Sequence, residues 1–301
     1  CVMFRAYYVG ITQTKILTIN SVVMLLSNVV LNYCLIFGKG GFPVMGIAGA
    51  AIASSVSEAV SLLFFIIYTG TTADKRKYGF RRAFTFRPHL LKGMLSISGW
   101  TMVQSFISVS IWFIFFLAIE HLGERPLAVT NIVRNISALL IMVISAFATT
   151  AGALISNQIG AGEQRYLFRT CGMTLNLTYA ILVPLLVILC LFPEPVLRVF
   201  TDNPSLIAAS INSVYVMSTS TLIMAPAFIL FNAVSGTGNT KAGFIMEMIS
   251  LTVYTAAVYY IVIRLKPDVA LCWFSEHVYG IALIALAWWY LKSGKWRGKK
   301  V

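Results

Sequence analysis

The sequence predicts an all-α polytopic membrane protein with eight transmembrane helices. Of its 301 residues, 58% are hydrophobic and only 11% are charged, whereas a soluble domain carries about 25% charged residues. Apolar segments that reach the roughly 20 residues needed to cross a bilayer recur along the chain. Runs of this length form helices rather than barrel strands. We place the spans at residues 16–37, 44–69, 93–119, 126–156, 170–192, 205–234, 242–263 and 269–291.

The polar residues exclude several other classes of protein. The five cysteines form no CxxC pair and the three histidines are scattered, so we expect neither a disulfide framework nor a metal site. The net charge of +13 lies in the gaps between apolar segments, which argues against nucleic acid as a partner. No segment has the spacing of a phosphate-binding loop, so we expect no nucleotide-driven transport.

The distribution of Lys and Arg predicts the orientation in the membrane. Seventeen of the 23 fall on the side that carries residues 10–15, and five fall on the opposite side. An excess of positive charge marks the cytoplasmic side. We therefore expect a multi-pass protein of the cytoplasmic membrane whose basic linker, residues 71–92, and C-terminus are cytoplasmic.

Two similar short segments indicate an internal repeat. GITQTK at residues 10–15 and GTGNTK at residues 236–241 are each followed by two spans and a basic stretch. Parallel repeats are an architecture of secondary transporters. Within the second half, four spans precede the second copy, but only nine residues precede the first. We therefore expect an intact protein with about 135 further residues before residue 1 and twelve helices in two six-helix lobes.

This repeat also predicts the domain organisation of the chain. Residues 1–70 would form the last two helices of an N-terminal lobe. Residues 71–92 would form the basic linker, and residues 93–301 would form a C-terminal six-helix lobe.

Three charged residues lie well inside the predicted spans: Glu58, Arg134 and Glu247. A charge near the bilayer centre costs about 2.5–3.5 kcal/mol on insertion scales, so such residues are functional candidates. Arg134, flanked by Asn131 and Asn135, could pair with a carboxylate or contact a substrate. Glu247 lies about 9 Å from the start of its helix, and burial favours the neutral form of a carboxyl group. It is therefore a candidate proton carrier.

Other polar residues predict a cavity in the second half. Glu58 lies in a serine-rich stretch and could be a proton site or a counter-charge to Arg134. Two spans carry further polar side chains: Gln104, Ser105, Ser108 and Ser110 on residues 93–119, and Asn212, Tyr215 and Ser218 on residues 205–234. For all of these residues, a purely structural hydrogen bond or ion pair between helices is the alternative interpretation.

Seven segments together resemble the multidrug and toxic compound extrusion (MATE) family, in its order and spacing. They are FRAYYVGITQTK at 4–15, LNYCLIFG at 31–38, FPVMGIAGAAIASS at 42–55, HLGERPLAVTNI at 121–132, SNQIGAG at 156–162, LFPEPVLRVFTDN at 191–203 and VSGTGNTK at 234–241. The resemblance implies two lobes that rock about a central cleft and export amphipathic, often cationic compounds in exchange for H⁺ or Na⁺. We expect no cofactor beyond this coupling ion. The expected partners are a small-molecule substrate and the lipid bilayer, and we expect the full-length protein to be a monomer.

Two features of some family members do not match this sequence. A cation site with acids on the seventh and tenth helices is not expected, because residues 93–119 and 205–234 contain no acid. An Asp on the first helix, which many members use for proton coupling, would precede residue 1.

Three functions compete with antiport. A lipid-linked oligosaccharide flippase of the same superfamily would line its cavity with several cations, but Arg134 is the only basic residue deep in a predicted span. A channel or structural role is disfavoured by the two-lobe repeat. An intramembrane protease would need an acid at Asn239, or contact between Ser235 and His277, which are predicted at opposite membrane faces. We therefore do not expect an enzyme.

Overall fold

A computed structural model describes residues 1–72, 88–265, 268–294 and 296. Within these ranges, eight helices are long and apolar enough to cross a membrane, which confirms the predicted spans and the all-α class. The chain divides into two compact units, Cys1–Pro88 and His89–Val301. The predicted linker, residues 71–92, lies at this division. Its residues 73–87 lie outside the described residues, and the other residues of the linker are helical.

The first unit contains the helices α1 (Val2–Gly10), α2 (Lys15–Phe37) and α3 (Gly46–Thr72). Gly38 follows the last residue of α2 with φ of 65°, a left-handed conformation that glycine adopts at little cost. Near the start of α3, a Cβ on Gly49 would lie 2.6 Å from the carbonyl oxygen of Leu35. A small residue therefore lets α2 and α3 approach closely.

Helix α1 is held against α3 by a small aromatic and polar cluster. The Tyr8 hydroxyl lies 2.8 Å from the Thr69 hydroxyl, and the Tyr8 ring stacks on Phe65 at 5.9 Å. Between α2 and α3, the side-chain amide of Asn20 donates a 2.8 Å hydrogen bond to Ser61. The four polar side chains, of Tyr8, Thr69, Asn20 and Ser61, are all buried, and each has a hydrogen-bond partner inside the unit.

The second unit contains the six remaining long helices. Its helices are α4 (Pro88–Glu120), α5 (Glu124–Gly160), α6 (Leu167–Leu191), α7 (Pro193–Arg198), α8 (Pro204–Gly236), α9 (Thr240–Val258), α10 (Val269–Cys272) and α11 (Phe274–Ser293). A 3₁₀ turn, Gln164–Tyr166, precedes α6, and a π-helix, Tyr259–Leu265, extends α9. The apolar core of this unit is formed mainly by α5, α6 and α8.

Helices α5 and α8 cross with their backbones in contact. A Cβ on Gly236 would lie 2.5 Å from the carbonyl oxygen of Gly152, and a Cβ on Gly152 would lie 2.9 Å from that of Asn232. Membrane helices lack a hydrophobic driving force between them, so close packing of small residues is a main source of their association.

A proline in α8 creates a contact with α6. Pro226 has no N–H and therefore leaves the carbonyl of Leu222, four residues earlier, without its helical donor. The Tyr179 hydroxyl of α6 donates a 2.8 Å hydrogen bond to this carbonyl. An otherwise unpaired backbone group thus joins two helices.

The two copies of the repeat occupy equivalent places in the chain of helices. Gly10 is the last residue of α1, and α2 begins at Lys15; Gly236 is the last residue of α8, and α9 begins at Thr240. Each copy therefore connects the end of one helix to the start of the next. In the second copy, the Asn239 side chain caps α9 and donates a hydrogen bond to the Tyr290 hydroxyl of α11.

Candidate functional site

The second unit contains a cavity of about 240 Å³ between five of its helices. Helices α4, α5, α8, α9 and α11 all contribute side chains. The lining residues are Ser108, Val109, Trp112, Ile141, Met224, Phe228, Glu247, Leu251, Tyr254, Glu276 and Tyr279. Two carboxyl groups and three hydroxyls thus lie among apolar and aromatic side chains.

Helix α9 presents one face to this cavity. Glu247, Leu251 and Tyr254 are spaced i, i+4 and i+7, which places them on a single stripe of an α-helix. Since seven residues of helix rise about 10.5 Å, Glu247 and Tyr254 lie at different heights along the axis of α9. Helix α11 contributes Glu276 and Tyr279 with i, i+3 spacing, which also places them on one face.

Glu247 is 4% exposed, and its two carboxyl oxygens have different surroundings. Oε1 accepts hydrogen bonds of 2.9 Å from the Ser108 hydroxyl of α4 and from the Tyr279 hydroxyl of α11. Oε2 is buried and has no hydrogen-bond partner among the described residues. A buried polar atom in this condition is costly and calls for an explanation, such as a bound ligand or proton.

Glu276 is the second carboxyl group of the cavity. Its Oε1 accepts a 2.9 Å hydrogen bond from the Tyr254 hydroxyl. The rings of Tyr254 and Tyr279 meet edge to face with centroids 5.9 Å apart. The two carboxyl groups are therefore connected through a pair of tyrosines, one bonded to each.

Aromatic rings extend from the cavity along α4. Trp112 lines the cavity, and its ring lies 4.9 Å from that of Phe116. The guanidinium carbon of Arg134 lies 5.1 Å from the centroid of Phe116, within the range of a cation–π contact. Arg134 therefore lies beyond the aromatic side of the cavity and is not one of its lining residues.

The structure places the residues singled out from the sequence in several different locations. Glu247 lines the cavity, together with Ser108. Gln104 is on α4 one turn before Ser108, whereas Tyr215 lines a separate groove between α6 and α8. Asn131 and Asn135 are on α5 beside Arg134, and Asn135 is exposed. Glu58 is an exposed residue of the first unit, and its pairing with Arg134 remains a prediction.

The sequence analysis missed Glu276, Tyr254, Tyr279 and Trp112. The signal for Glu276 was present, because it lies within the predicted span 269–291 and meets the same criterion as Glu247. The tyrosines and the tryptophan had no local signal, since aromatic residues are common throughout transmembrane helices. Their roles depend on which helices are neighbours.

This arrangement can bind a cation. Carboxyl groups supply negative charge and hydrogen-bond acceptors, and aromatic faces attract a cation through their quadrupole. The apolar walls lower the local dielectric constant, which strengthens electrostatic interactions within the cavity. The same carboxyl groups can bind a proton instead.

Comparison with known proteins decides the family. The MatE family model matches residues 101–261, which is more than half of the chain and includes all of α5 to α9 and most of α4. The chain belongs to the MatE family. Members of this family are transporters and not enzymes, which excludes the protease alternative. The chain is accordingly a multi-pass protein of the cell membrane.

Curated relatives agree with this assignment. A probable multidrug resistance protein NorM from Thermotoga maritima is 26% identical over 286 residues, which cover 91% of this chain and 59% of that protein. An uncharacterized transporter, YisQ, from Bacillus subtilis is 25% identical and covers 82% of this chain and 54% of YisQ. The chain thus spans about half to three fifths of the length of these relatives.

Solved structures support the fold. A MOP superfamily transporter from Pyrococcus furiosus superimposes with a TM-score of 0.79 at 18% identity, covering 91% of this chain and 62% of that one. The Vibrio cholerae MATE transporter VcmN superimposes with a TM-score of 0.81 at 12% identity, covering 97% and 66%. At these identities the comparison shows the all-α fold alone.

Proposed function

We propose that this protein is a secondary antiporter that exports amphipathic, cationic small molecules in exchange for H⁺. The observation that carries the proposal is Glu247, a buried carboxyl group in an aromatic cavity, with one oxygen held by two hydroxyl donors and the other unpaired. Membership in the MatE family supports transport as the activity. The names of curated relatives, NorM and MdtK multidrug resistance proteins, support drugs as the substrates.

Exclusive occupancy of Glu247 supplies a mechanism for coupling. A proton on Oε2 neutralises the carboxyl group and removes its attraction for a cation. A cation bound at Oε2 in turn prevents protonation. Because each ligand favours one state of the same group, a proton gradient can drive the cation in the opposite direction.

A proton suits this site better than a sodium ion. Hard metal cations are bound by several converging oxygen atoms. Here Oε1 is already engaged by Ser108 and Tyr279, and most of the other lining side chains are apolar. A proton needs only the one free oxygen that Glu247 offers.

The cavity does not favour the flippase alternative. A pyrophosphate-linked lipid carries concentrated negative charge and is recognised by Arg and Lys. The described residues that line the cavity include two carboxyl groups and neither Arg nor Lys. The polarity of the site is therefore opposite to that required by this substrate.

Transport by proteoliposomes tests the proposed function. With an imposed pH gradient, the wild-type protein is expected to move a fluorescent aromatic amine against the proton flow, and a sodium gradient alone is expected to be ineffective. Glu247→Gln should abolish the response to the pH gradient. The control is Glu163→Gln, at an exposed acid in the connection between α5 and α6. Wild-type transport by Glu247→Gln, or transport driven by sodium alone, contradicts the proposal.

A further inference from the structure

We propose that the cavity selects its cationic substrates by an N–H group: it binds protonated primary, secondary or tertiary amines in preference to quaternary ammonium compounds of the same shape. The selecting atom is Oε2 of Glu247. This inference rests on the proposed function, because it specifies the class of cation exported through that site. Protonated amines and quaternary ammonium compounds carry the same charge, so charge alone cannot distinguish them.

The two oxygens of Glu247 leave one position for a substrate. Oε1 accepts from Ser108 and Tyr279, so its acceptor positions in the plane of the carboxyl group are occupied. Oε2 is buried, belongs to a residue that lines the cavity, and has no donor among the described residues. A ligand in the cavity therefore encounters an acceptor that has lost its water without gaining a protein partner.

An ammonium N–H satisfies this acceptor, and a methyl group does not. A protonated amine donates a charge-assisted hydrogen bond to a carboxylate oxygen, one of the stronger hydrogen bonds in proteins. A quaternary ammonium group is enclosed by carbon atoms and carries no donor. With such a ligand, Oε2 remains buried and unpaired, so the free-energy cost of an unsatisfied buried acceptor persists in the complex.

The aromatic walls do not distinguish the two kinds of cation. Trp112, Tyr254 and Tyr279 line the cavity, and cation–π attraction acts on both protonated amines and quaternary ammonium groups. Glu276, the other carboxyl group, also attracts either cation by charge, but neither of its oxygens is among the buried unpaired atoms of the described residues, so a ligand without an N–H leaves no such atom unsatisfied there. The difference between the ligands is therefore concentrated at Oε2 of Glu247.

The position of the proton supports this assignment. Since Oε1 already accepts two hydrogen bonds, Oε2 is the oxygen available to carry the proton in the neutral state. A substrate N–H would bind at the same atom and with the same geometry as this proton. Exchange of one for the other leaves the bonds to Ser108 and Tyr279 in place, which requires little rearrangement of α4 and α11.

A matched pair of ligands tests the inference. The probes are an aromatic tertiary amine, protonated at the assay pH, and the quaternary compound made from it by N-methylation. Binding of each to the purified full chain in lipid nanodiscs is measured by isothermal titration calorimetry. We expect the amine to bind about ten- to a hundredfold more tightly, as for other sites in which an analogue leaves a buried acceptor unpaired. Equal affinity, or no binding of the amine, overturns the inference.

Variants assign the preference to one atom. In Glu247→Gln, the amide oxygen can keep the bonds to Ser108 and Tyr279 while an NH₂ group replaces Oε2, so the preference should fall to less than about threefold. If the Gln variant does not fold, Glu247→Asp takes its place as the test. It withdraws the carboxyl oxygen from the cavity by one methylene and should also weaken the preference. Glu163→Gln should keep the wild-type ratio. A ratio that is unchanged in both Glu247 variants overturns the assignment.

The outcomes separate this inference from the proposed function. If both cations are exported under a pH gradient with equal affinity, antiport stands and the selection by N–H fails. If the amine binds selectively but no cation moves under the gradient, the binding site stands and the antiport function fails.

Discussion

Ser108 and Glu247 are 139 positions apart in the sequence, and a 2.9 Å hydrogen bond joins them. This bond links α4 to α9. Together with the bond from Tyr279, it determines which oxygen of Glu247 remains free for a ligand. The chemistry of the cavity thus depends on the packing of three helices that are remote in the sequence.

Ser108→Ala should weaken the response to the pH gradient about tenfold, because Glu247 loses one of the two donors that hold Oε1 and a hydrogen bond to a charged group is removed. Efflux in proteoliposomes measures the effect. Ser110→Ala is the matched control, since the Ser110 hydroxyl donates to the carbonyl of Phe106 in its own helix. Equal loss in the two variants would indicate that the effect comes from α4 in general.

Tyr279→Phe should impair coupling more than Tyr254→Phe. Tyr279 donates to Glu247, whereas Tyr254 donates to Glu276, and each substitution removes a hydroxyl while preserving the ring. The measurement is substrate efflux at several proton gradients. Tyr260→Phe, at an exposed tyrosine, should behave as wild type. A larger loss in Tyr254→Phe would place the coupling group at Glu276 instead of Glu247.

Gly236→Ala should destabilise the second unit by about 1–3 kcal/mol, because the added Cβ would lie 2.5 Å from the carbonyl oxygen of Gly152 and force α5 and α8 apart. Thermal unfolding in detergent measures the change. Gly172→Ala is the control in α6, where no atom lies within 4 Å of an added Cβ and alanine is the better helix former. We expect this variant to be as stable as wild type or more so.

Tyr179→Phe should cost about 1 kcal/mol of stability in the wild-type protein and less in a Pro226→Ala background. Alanine at position 226 restores an N–H that can bond to the Leu222 carbonyl, so this carbonyl gains a donor besides the hydroxyl of Tyr179. A double-mutant cycle from thermal unfolding measures the coupling. Additive effects of the two substitutions would exclude this account of the contact.

Arg134→Ala should reduce efflux while leaving insertion into the membrane intact. The substitution removes the cation that lies over Phe116, beside the aromatic wall formed by Trp112. Efflux and the amount of protein in the membrane fraction are both measured. The control is Arg165→Ala, which removes a similar cation–π contact over Tyr166 outside the predicted spans. Wild-type efflux from Arg134→Ala would assign this residue a purely structural role.

The amino-acid sequence by itself determined the all-α class, the eight spans and the candidacy of Glu247. Hydrophobicity over about 20 residues is a local property, and so is the cost of a carboxyl group in lipid. By the same criterion, Glu276 could also have been recognised, because it lies within the last predicted span. The motifs shared with the MatE family extended this information to the class of protein.

Only the tertiary structure decided which side chains meet. It brought Ser108 and Tyr279 to one oxygen of Glu247, left the other oxygen unpaired, and placed Tyr254 against Glu276. It also placed Tyr215 in a groove apart from the cavity and Arg134 over Phe116. Contacts of this kind depend on how helices that are far apart in the chain rotate and cross. Close approaches such as that of Gly152 to Gly236 determine this geometry, and hydrophobic periodicity does not encode it.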